Sequence, residues 1–331
     1  MRPKSLLEAV RYFSDLNVAH EFFMGMRWPQ GVCCPRCGST AVKYMPKYRR
    51  FQCSHNHNGR QFTVKTGTVM EDSAIGLDKW ATALWLEVNA KNSISSYELH
   101  RALGITQKSS WFMLHRIRYA LHSGSFDKMI GEVESDESYI GGLAKNMHAS
   151  KRKAKGITAG VGIGKAVVHG LLQRGTEKGH SKVKATVVPD AKLTSLLPIL
   201  NESVEKGATL YTDSAQVYSN RNITEAFIHS AVDHAQAYVM GRCHTNGLEN
   251  FWSLFKRCIR GTHVNVEPFH IQAYIDSEVF RFNNRKVKDG DRFVLAAQGL
   301  HGKRLTYKAL TGALEATPGN DKAVESGGVS N

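Results

Sequence analysis

The stretch GEVESDESYIGG, residues 131–142, decides the fold of the chain. Alternate side chains of a β-strand point to opposite faces of a sheet, so this spacing predicts a strand with Glu132, Glu134 and Asp136 on one face. Like charges placed so close together are costly unless they are compensated. The pattern therefore indicates a cation held on that face.

Further strands and helices are predicted around this stretch. Apolar and β-branched runs bounded by Gly, Pro or Asp predict strands at 130–140, 165–173, 182–188, 209–212 and 226–232. Leucines at helical spacing predict a helix at 193–204, and helices are also expected near 245–260 and 268–283. Strands followed by mixed strands and helices indicate an α/β domain of roughly 160 residues.

Two more acidic residues, Asp213 and Glu249, occupy positions that are typical of catalytic or metal-binding groups. Asp213 ends an apolar strand, and strand ends gather functional groups in α/β sheets. Glu249 lies in a predicted helix on one edge with Asn246, and Lys256 follows about two turns later on the same side. Two strand aspartates and a helical carboxylate supply the oxygen ligands for two Mg²⁺ ions in phosphoryl transfer. Each acid alone is better explained as offsetting nearby basic residues, but the trio favours catalysis.

A metal knuckle is predicted near the start of the chain. Four of the six cysteines fall between positions 33 and 53, and Cys34-Pro-Arg-Cys37 has the spacing of two thiolate ligands. Cys53 is followed by two histidines, of which His57 is preferred as the fourth ligand because its distance from Cys53 fits usual spacing, with His55 as the alternative. Buried free cysteines would not explain the neighbouring histidines. Four protein ligands indicate structural zinc in a ribbon of short strands.

A helical region is predicted after the ribbon. Residues 77–89 form one helix, Ser95 begins a second with a capping-box pattern, and Gly104 makes a turn before a third at 107–121. This order resembles a helix-turn-helix, whose last helix contacts the DNA major groove. Its outward basic side chains are expected to be Lys108, His115, Arg116 and Arg118. An ordinary three-helix linker with a solvated basic face is the alternative.

Composition agrees with a nucleic-acid partner. The chain has 331 residues, 42% of them hydrophobic, and a formal net charge of +15. Such a charge on a globular protein calls for an anionic partner, most often nucleic acid. The sequence lacks the roughly 20 consecutive apolar residues of a membrane helix, so a cytoplasmic protein without membrane contact is expected.

The motifs together resemble a known family. The segments DESYIGG (136–142), TD (212–213) and HTNGLENFWSLFKR (244–257) are similar to ISXO2-like transposases of the IS1595 family of bacterial insertion sequences. The segments CPRC (34–37), QFT (61–63) and TGT (66–68) resemble the zinc ribbon of that family. The resemblance covers nearly the whole chain.

The resemblance implies an RNase H-like catalytic domain that requires Mg²⁺ and acts on terminal inverted repeats of double-stranded DNA. By position, Asp136, Asp213, Glu249 and Lys256 carry the catalytic roles, with the three acids as the Mg²⁺ ligands. Asn246 competes for the third position because some family members use asparagine there. Lys256 and its neighbour Arg257 are expected to contact DNA, on which the protein assembles as a homo-oligomer.

Five segments are therefore expected: an N-terminal helical segment (1–27), a zinc ribbon (28–70), a helix-turn-helix-like region (71–125), an RNase H-like transposase domain (126–290) and a partly flexible C-terminal extension (291–331). The predicted function is DNA cleavage and strand transfer by a bacterial protein associated with the nucleoid. A nuclease of the same fold without strand transfer and a DNA-binding regulator with an inactive catalytic domain are the alternatives.

Overall fold

We analysed a computed structural model of the chain, which describes residues 3–122, 127–141, 150, 165–175, 179–213, 216–232 and 243–312. The predicted flexibility at the end of the chain concerns mostly residues beyond 312, which lie outside this range. The architecture is mixed α/β, with a small antiparallel sheet near the N-terminus and a larger mixed sheet in the second half of the described chain.

The chain begins with two short helices, α1 (Leu6–Phe13) and α2 (Leu16–Arg27). Each has an N-cap side chain that accepts a hydrogen bond from a backbone N–H of the first turn: Ser5 for α1 and Asp15 for α2. Phe13 of α1 and Phe23 of α2 are buried, whereas the apolar side chains of Leu6, Leu7, Val10 and Leu16 are exposed.

The predicted ribbon contains strands β1 (Val42–Met45), β2 (Arg50–Cys53) and β3 (Gln61–Phe62), paired antiparallel in the order β1-β2-β3. The turn between β1 and β2 ends at Arg49, whose φ of 45° lies in the left-handed region. Phe51 of β2 is buried and pairs with Phe62 of β3, and its ring lies 6.0 Å from that of His20 on α2 between centroids.

The helical region consists of α3 (Leu77–Asn89), α4 (Ser96–Leu103) and α5 (Gln107–Leu121). The capping box at Ser95 is confirmed, because Ser95 and Glu98 exchange both side-chain to backbone hydrogen bonds. Gly104 ends α4 with a φ of 59°, a conformation that glycine adopts without strain.

The larger sheet consists of β4 (Glu132–Ile140), β5 (Ala166–Gln173), β6 (Lys182–Val188), β7 (Thr209–Asp213) and β8 (Ile228–Val232). The strand order is β6-β5-β4-β7-β8. Strand β5 is antiparallel to both of its neighbours, whereas β7 runs parallel to β4 and to β8. All five predicted strands are confirmed, with ends shifted by at most two residues.

Helices follow the strands: α6 (Leu193–Ser203), α7 (Arg221–Thr224), α8 (Asn246–Cys258), α9 (Ile271–Asn283), α10 (Asp289–Gln298) and α11 (Tyr307–Leu310). One face of the sheet packs Val168 and Leu172 against Phe251 of α8. The other face packs Leu171 against Leu196 of α6. None of the described helices combines the length and apolar character that a membrane span requires.

A third core joins the two ends of the chain. Phe293 of α10 is fully buried, with its ring 5.5 Å from Phe13 of α1 and 5.4 Å from Trp85 of α3 between centroids. Helix α10 thus contains the first residues of the C-terminal extension that was expected to be partly flexible. It packs against α2 and α3, and Phe293 also contacts α1.

The predicted outward orientation of α5 is wrong for three of its four basic residues. His115, Arg116 and Arg118 are buried, and only Lys108 is exposed. The Arg118 Nε donates a 2.9 Å hydrogen bond to Glu87 of α3, and the Arg116 Nε donates to the carbonyl of Leu305 at 3.2 Å. Helix α5 is covered by α3 and α4 and also by α9, so it has no broad basic face.

Candidate active site and metal centre

The register of two parallel strands brings the two predicted aspartates together. Glu134 of β4 pairs with Tyr211 of β7, and two residues further along both strands stand Asp136 and Asp213. Burial raises the pKa of Asp136 to about 6, and the negative charges of Asp213 and Glu249 add to the increase. Acidic residues from β4, β7 and α8 therefore act on one another at the same end of the sheet.

An open cleft of about 770 Å³ lies at this end of the sheet, and we call it the carboxylate cleft. Its wall carries both acids and cations: Asp136, Glu137, Glu249, Lys256, Arg257 and Arg260. Burial lowers the pKa of the Lys256 ammonium, and the Asp136 carboxylate partly offsets that effect. Glu249 and Lys256 thus face the same space, two turns apart on α8.

Two predicted residues stand beside the carboxylate cleft. Asp213 ends β7 next to it, and Asn246 is exposed in the first turn of α8; neither is among the described residues of the wall. Asp213 nevertheless acts on Asp136 through its charge. For Asn246 the structure gives no comparable interaction with Asp136.

Glu132 and Glu134 share a strand face with Asp136, but they are compensated by a different group. The guanidinium of Arg174 donates a 2.8 Å hydrogen bond to Glu134 and lies 3.9 Å from a carboxylate oxygen of Glu132. Glu134 also accepts a 3.0 Å hydrogen bond from the backbone N–H of Leu248 at the start of α8. Glu134 therefore links the start of α8 to the sheet.

Arg174 was not singled out from the sequence. It directly follows β5, and its backbone N–H donates to the carbonyl of Glu132 on the neighbouring strand. It also donates a 2.7 Å hydrogen bond to the carbonyl of His244, just before α8. Only the antiparallel pairing of β4 with β5 could have identified it, because nothing in the local sequence around residue 174 marks a partner 40 positions away.

Trp252 of α8 is buried, with only 4% of its surface exposed. Its indole Nε1 also donates a 3.0 Å hydrogen bond to Oδ2 of Asp136. An indole N–H that is buried against a carboxylate holds that carboxylate in one orientation. The helix that carries Glu249 and Lys256 therefore also fixes the position of Asp136.

Ser135 and Glu137, which flank Asp136 on β4, belong to a polar network that the sequence analysis missed. The Tyr218 hydroxyl donates a short hydrogen bond to Glu137 and lies 2.9 Å from Oγ of Ser135, which in turn lies 2.9 Å from Nε2 of His169. Burial raises the pKa of Glu137 to about 7. These contacts support the strand directly behind Asp136.

The predicted zinc ligands converge. One ligand atom from each of Cys34, Cys37, Cys53 and His57 lies within 4.8 Å of the others, and within the described parts of the chain this is the only group of three or more that converges so closely. His55, the alternative, is not part of it. The Nδ1 of His57 lies 3.0 Å from the Asn58 carbonyl, while its Nε2 faces the sulfur of Cys34. Three thiolates and an imidazole fit tetrahedral structural zinc.

Comparison with known proteins agrees with both parts of the structure. Residues 15–57 match the transposase zinc-ribbon domain, and residues 128–283 match the ISXO2-like transposase domain. The first range ends at the ligand His57, and the second contains Asp136, Asp213 and Glu249.

Two similar proteins carry related names. The chain is 30% identical over 286 residues to the "Uncharacterized protein in transposable element ISH50" of Halobacterium salinarum, and the match covers 82% of this chain and 94% of that protein. It is 31% identical over 107 residues to an "Uncharacterized transposase-like protein" of Haemophilus influenzae, covering 32% of this chain and 85% of that protein. The chain therefore belongs to the ISXO2-like transposases of the IS1595 family.

Proposed function

We propose that the protein binds the terminal inverted repeats of its own element as a homo-oligomer, cleaves a DNA strand to expose a 3′-hydroxyl, and joins that hydroxyl to target DNA. The observation that carries this proposal is the convergence of acidic charge from Asp213 and Glu249 on the half-buried Asp136, beside the cation Lys256. The mixed sheet, covered by helices on both faces, supports an RNase H-like fold for this domain.

The carboxylates of Asp136, Asp213 and Glu249 are suitable ligands for a divalent metal ion. Their oxygen atoms are the ligands that Mg²⁺ prefers. The raised pKa of Asp136, caused by burial and by the two neighbouring acids, reflects negative charge that a cation would offset. Three such carboxylates can together hold two Mg²⁺ ions roughly 4 Å apart. When bound, such ions activate the attacking oxygen and stabilise the leaving oxygen.

The side chains of the protein have separate roles in this proposal. Asp136, Asp213 and Glu249 hold the metal ions, with Trp252 fixing the orientation of the Asp136 carboxylate. Lys256, on the same wall as Glu249, contacts the scissile phosphate, and the exposed Arg257 contacts the DNA backbone next to it. Glu249 is the third acid rather than Asn246, because Glu249 both lines the cleft and acts on Asp136.

Recognition of the DNA ends is assigned to the ribbon and the helical region. Because Arg116 and Arg118 are buried, exposed cations must supply most of the phosphate contacts. Lys108 is one of them. The hairpin of β1 and β2 offers a larger group of exposed basic and aromatic side chains: Lys43, Tyr44, Lys47, Tyr48, Arg49 and Arg50. Cations interleaved with aromatics suit a nucleic-acid surface.

Strand transfer with purified full-length protein, Mg²⁺ and the DNA flanking its own gene tests the proposal. Joined products support a transposase, cleavage without joining supports a nuclease, and binding alone supports a regulator. Asp136→Ala and Asp213→Ala should each abolish cleavage while DNA binding survives, because each removes a metal ligand. Glu202→Ala is the control, since it removes an exposed carboxylate on α6. Substantial cleavage by either aspartate variant would refute the assignment.

A further inference from the structure

A second cleft of about 390 Å³ lies next to the carboxylate cleft. The two clefts share Lys256 and Arg260 in their walls. On its other sides the second cleft is bounded by the end of β4, at Tyr139 and Ile140, and by Val264 and Val266 beyond α8. A ligand that occupies the carboxylate cleft can therefore continue into the second cleft.

The second cleft concentrates positive charge. Lys165, Lys256 and Arg260 all line it. They are close enough that the charges of Lys165 and Arg260 help to lower the pKa of Lys256, after the larger effect of burial. Clustered cations repel one another and are stabilised when an anion binds between them. Phosphate groups of DNA are such anions.

The same cleft also offers an apolar surface to a ligand. Ile140 and Ile259 are buried in its wall, whereas the ring of Tyr139 is 42% exposed and the side chain of Val264 is 78% exposed. Aromatic and apolar side chains beside cations are the features that bind unpaired bases, because the base stacks while its phosphate pairs with the cation.

The backbone at Val264 is strained. The π-helical turn Ile259–His263 follows α8, and Val264 then has φ 62° and ψ −57°, held by a 2.7 Å hydrogen bond from its N–H to the Ile259 carbonyl. A β-branched residue rarely adopts positive φ, so this backbone conformation is strained. The exposed Val264 side chain makes little packing contact that could offset this strain in the free protein. We infer that Val264 contacts a ligand.

We propose that the second cleft binds the deoxynucleotide next to the scissile phosphate, unstacked from the duplex. Lys165 and Arg260 contact its phosphates, and Tyr139 and Val264 contact its base. This proposal rests on the proposed DNA cleavage in the carboxylate cleft, and it adds the position of the neighbouring nucleotide.

The test measures DNA affinity without divalent metal, so that no strand is cut. Duplexes carrying the element end are made with a normal base or an abasic site at each position that flanks the cleavage point. Tyr139→Ala should weaken binding of the normal duplex about 10-fold, because stacking on one base is lost. When the abasic site replaces that base, at one flanking position, the variant and the wild type should bind equally well.

Matched variants separate stacking from charge. Tyr139→Phe should bind like the wild type, and so should Tyr119→Ala, because Tyr119 on α5 is also 42% exposed but lies outside both clefts. Lys165→Ala and Arg260→Ala should each reduce the salt dependence of binding by about one phosphate contact, on normal and abasic duplexes alike.

Two outcomes would overturn the proposal. In the first, Tyr139→Ala binds every duplex like the wild type. In the second, its defect is as large on every abasic duplex as on the normal duplex, which indicates that Tyr139 contacts no single flanking base. Failure of the proposed function is recognised separately, as absence of Mg²⁺-dependent cleavage by wild-type protein, since the affinity measurement requires no cleavage.

Discussion

The Trp252 indole occupies the space that a side chain at Gly170 would need: a Cβ atom built on Gly170 would lie 2.5 Å from Cζ2 of the indole. Gly170 of β5 pairs with Asp136 of β4, and the indole lies over this pair and donates its hydrogen bond to the carboxylate. The lack of a side chain at position 170 is thus what allows Trp252 to reach Asp136.

The first prediction concerns this contact. Trp252→Phe keeps an aromatic ring but removes the N–H donor, so Asp136 loses its fixed orientation. We expect kcat for strand cleavage to fall roughly 10- to 100-fold, the usual loss when a group that orients a metal ligand is removed. DNA affinity should not change. Gly170→Ala should give a similar loss by displacing the indole. Wild-type kcat in Trp252→Phe would show that the hydrogen bond does not position Asp136.

The second prediction separates the two candidates for the third catalytic position. Glu249→Gln removes a metal-binding charge and should nearly eliminate turnover at saturating Mg²⁺. Asn246→Ala changes an exposed amide beside the carboxylate cleft and should cost roughly 10- to 100-fold at most. Single-turnover cleavage rates of the two variants decide the matter. An active Glu249→Gln together with an inactive Asn246→Ala would reverse the roles.

The third prediction concerns zinc. Cys34→Ser, or removal of the metal by a chelator, should unfold the ribbon, because a structural zinc site contributes folding energy directly. The buried Cys34 and Cys53 belong to the same core as α1 and α2, so thermal unfolding should begin at a lower temperature and DNA ends should bind more weakly. Cys33→Ser is the matched control, since Cys33 lies outside the ligand cluster. Folded wild-type protein without zinc would contradict this.

The fourth prediction distinguishes structural from DNA-binding cations on α5. Arg118→Ala leaves the buried Glu87 without its closest ion-pair partner, and the free energy of unfolding should fall by about 3–5 kcal/mol. Lys108→Ala should change stability by less than about 0.5 kcal/mol, because its side chain is exposed. Urea denaturation measures both values. If Arg118→Ala is stable but binds DNA weakly, the pair with Glu87 is not its main role.

The fifth prediction is a pH dependence of stability. Burial lowers the pKa of His115 to about 2 and that of His263 to about 3, so both rings are neutral in the folded protein. Their folded pKa values lie below the unfolded value near 6.5, so the unfolded chain binds protons first as the pH falls. Stability should therefore be retained above pH 6.5 and lost below it, by up to about 1.4 kcal/mol per pH unit for each histidine.

His115→Phe tests this directly. Neither ring nitrogen of His115 has a hydrogen-bond partner among the described residues, so phenylalanine removes the titrating group without breaking such a contact. The urea midpoint of the variant should fall less between pH 7.5 and pH 5.5 than that of the wild type. His122→Gln serves as the contrast, because the hydrogen bond that the His122 ring donates to the Asp276 carboxylate raises the pKa of His122. An unchanged acid response in His115→Phe would exclude the proposed origin.

The sequence by itself determined the elements and the ligand types. Period-two and helical spacing are properties of a single segment, and they predicted the strands of the larger sheet and helices such as Leu77–Asn89 with ends correct to within a few residues. The zinc ligands could also be predicted from the sequence. Cys34 and Cys37 are close in sequence, and the spacing from Cys53 favoured His57, which the structure groups with them.

Only the tertiary structure decided which of these groups meet. Of the three acids on one face of β4, Glu132 and Glu134 contact Arg174, and Asp136 lies in the cleft. Arg118 faces a second layer of helices rather than solvent. A pattern of residues shows that an element has two different faces, but not what covers each face. Strand pairing and layer packing depend on burial between segments far apart in the chain, so local spacing cannot determine them.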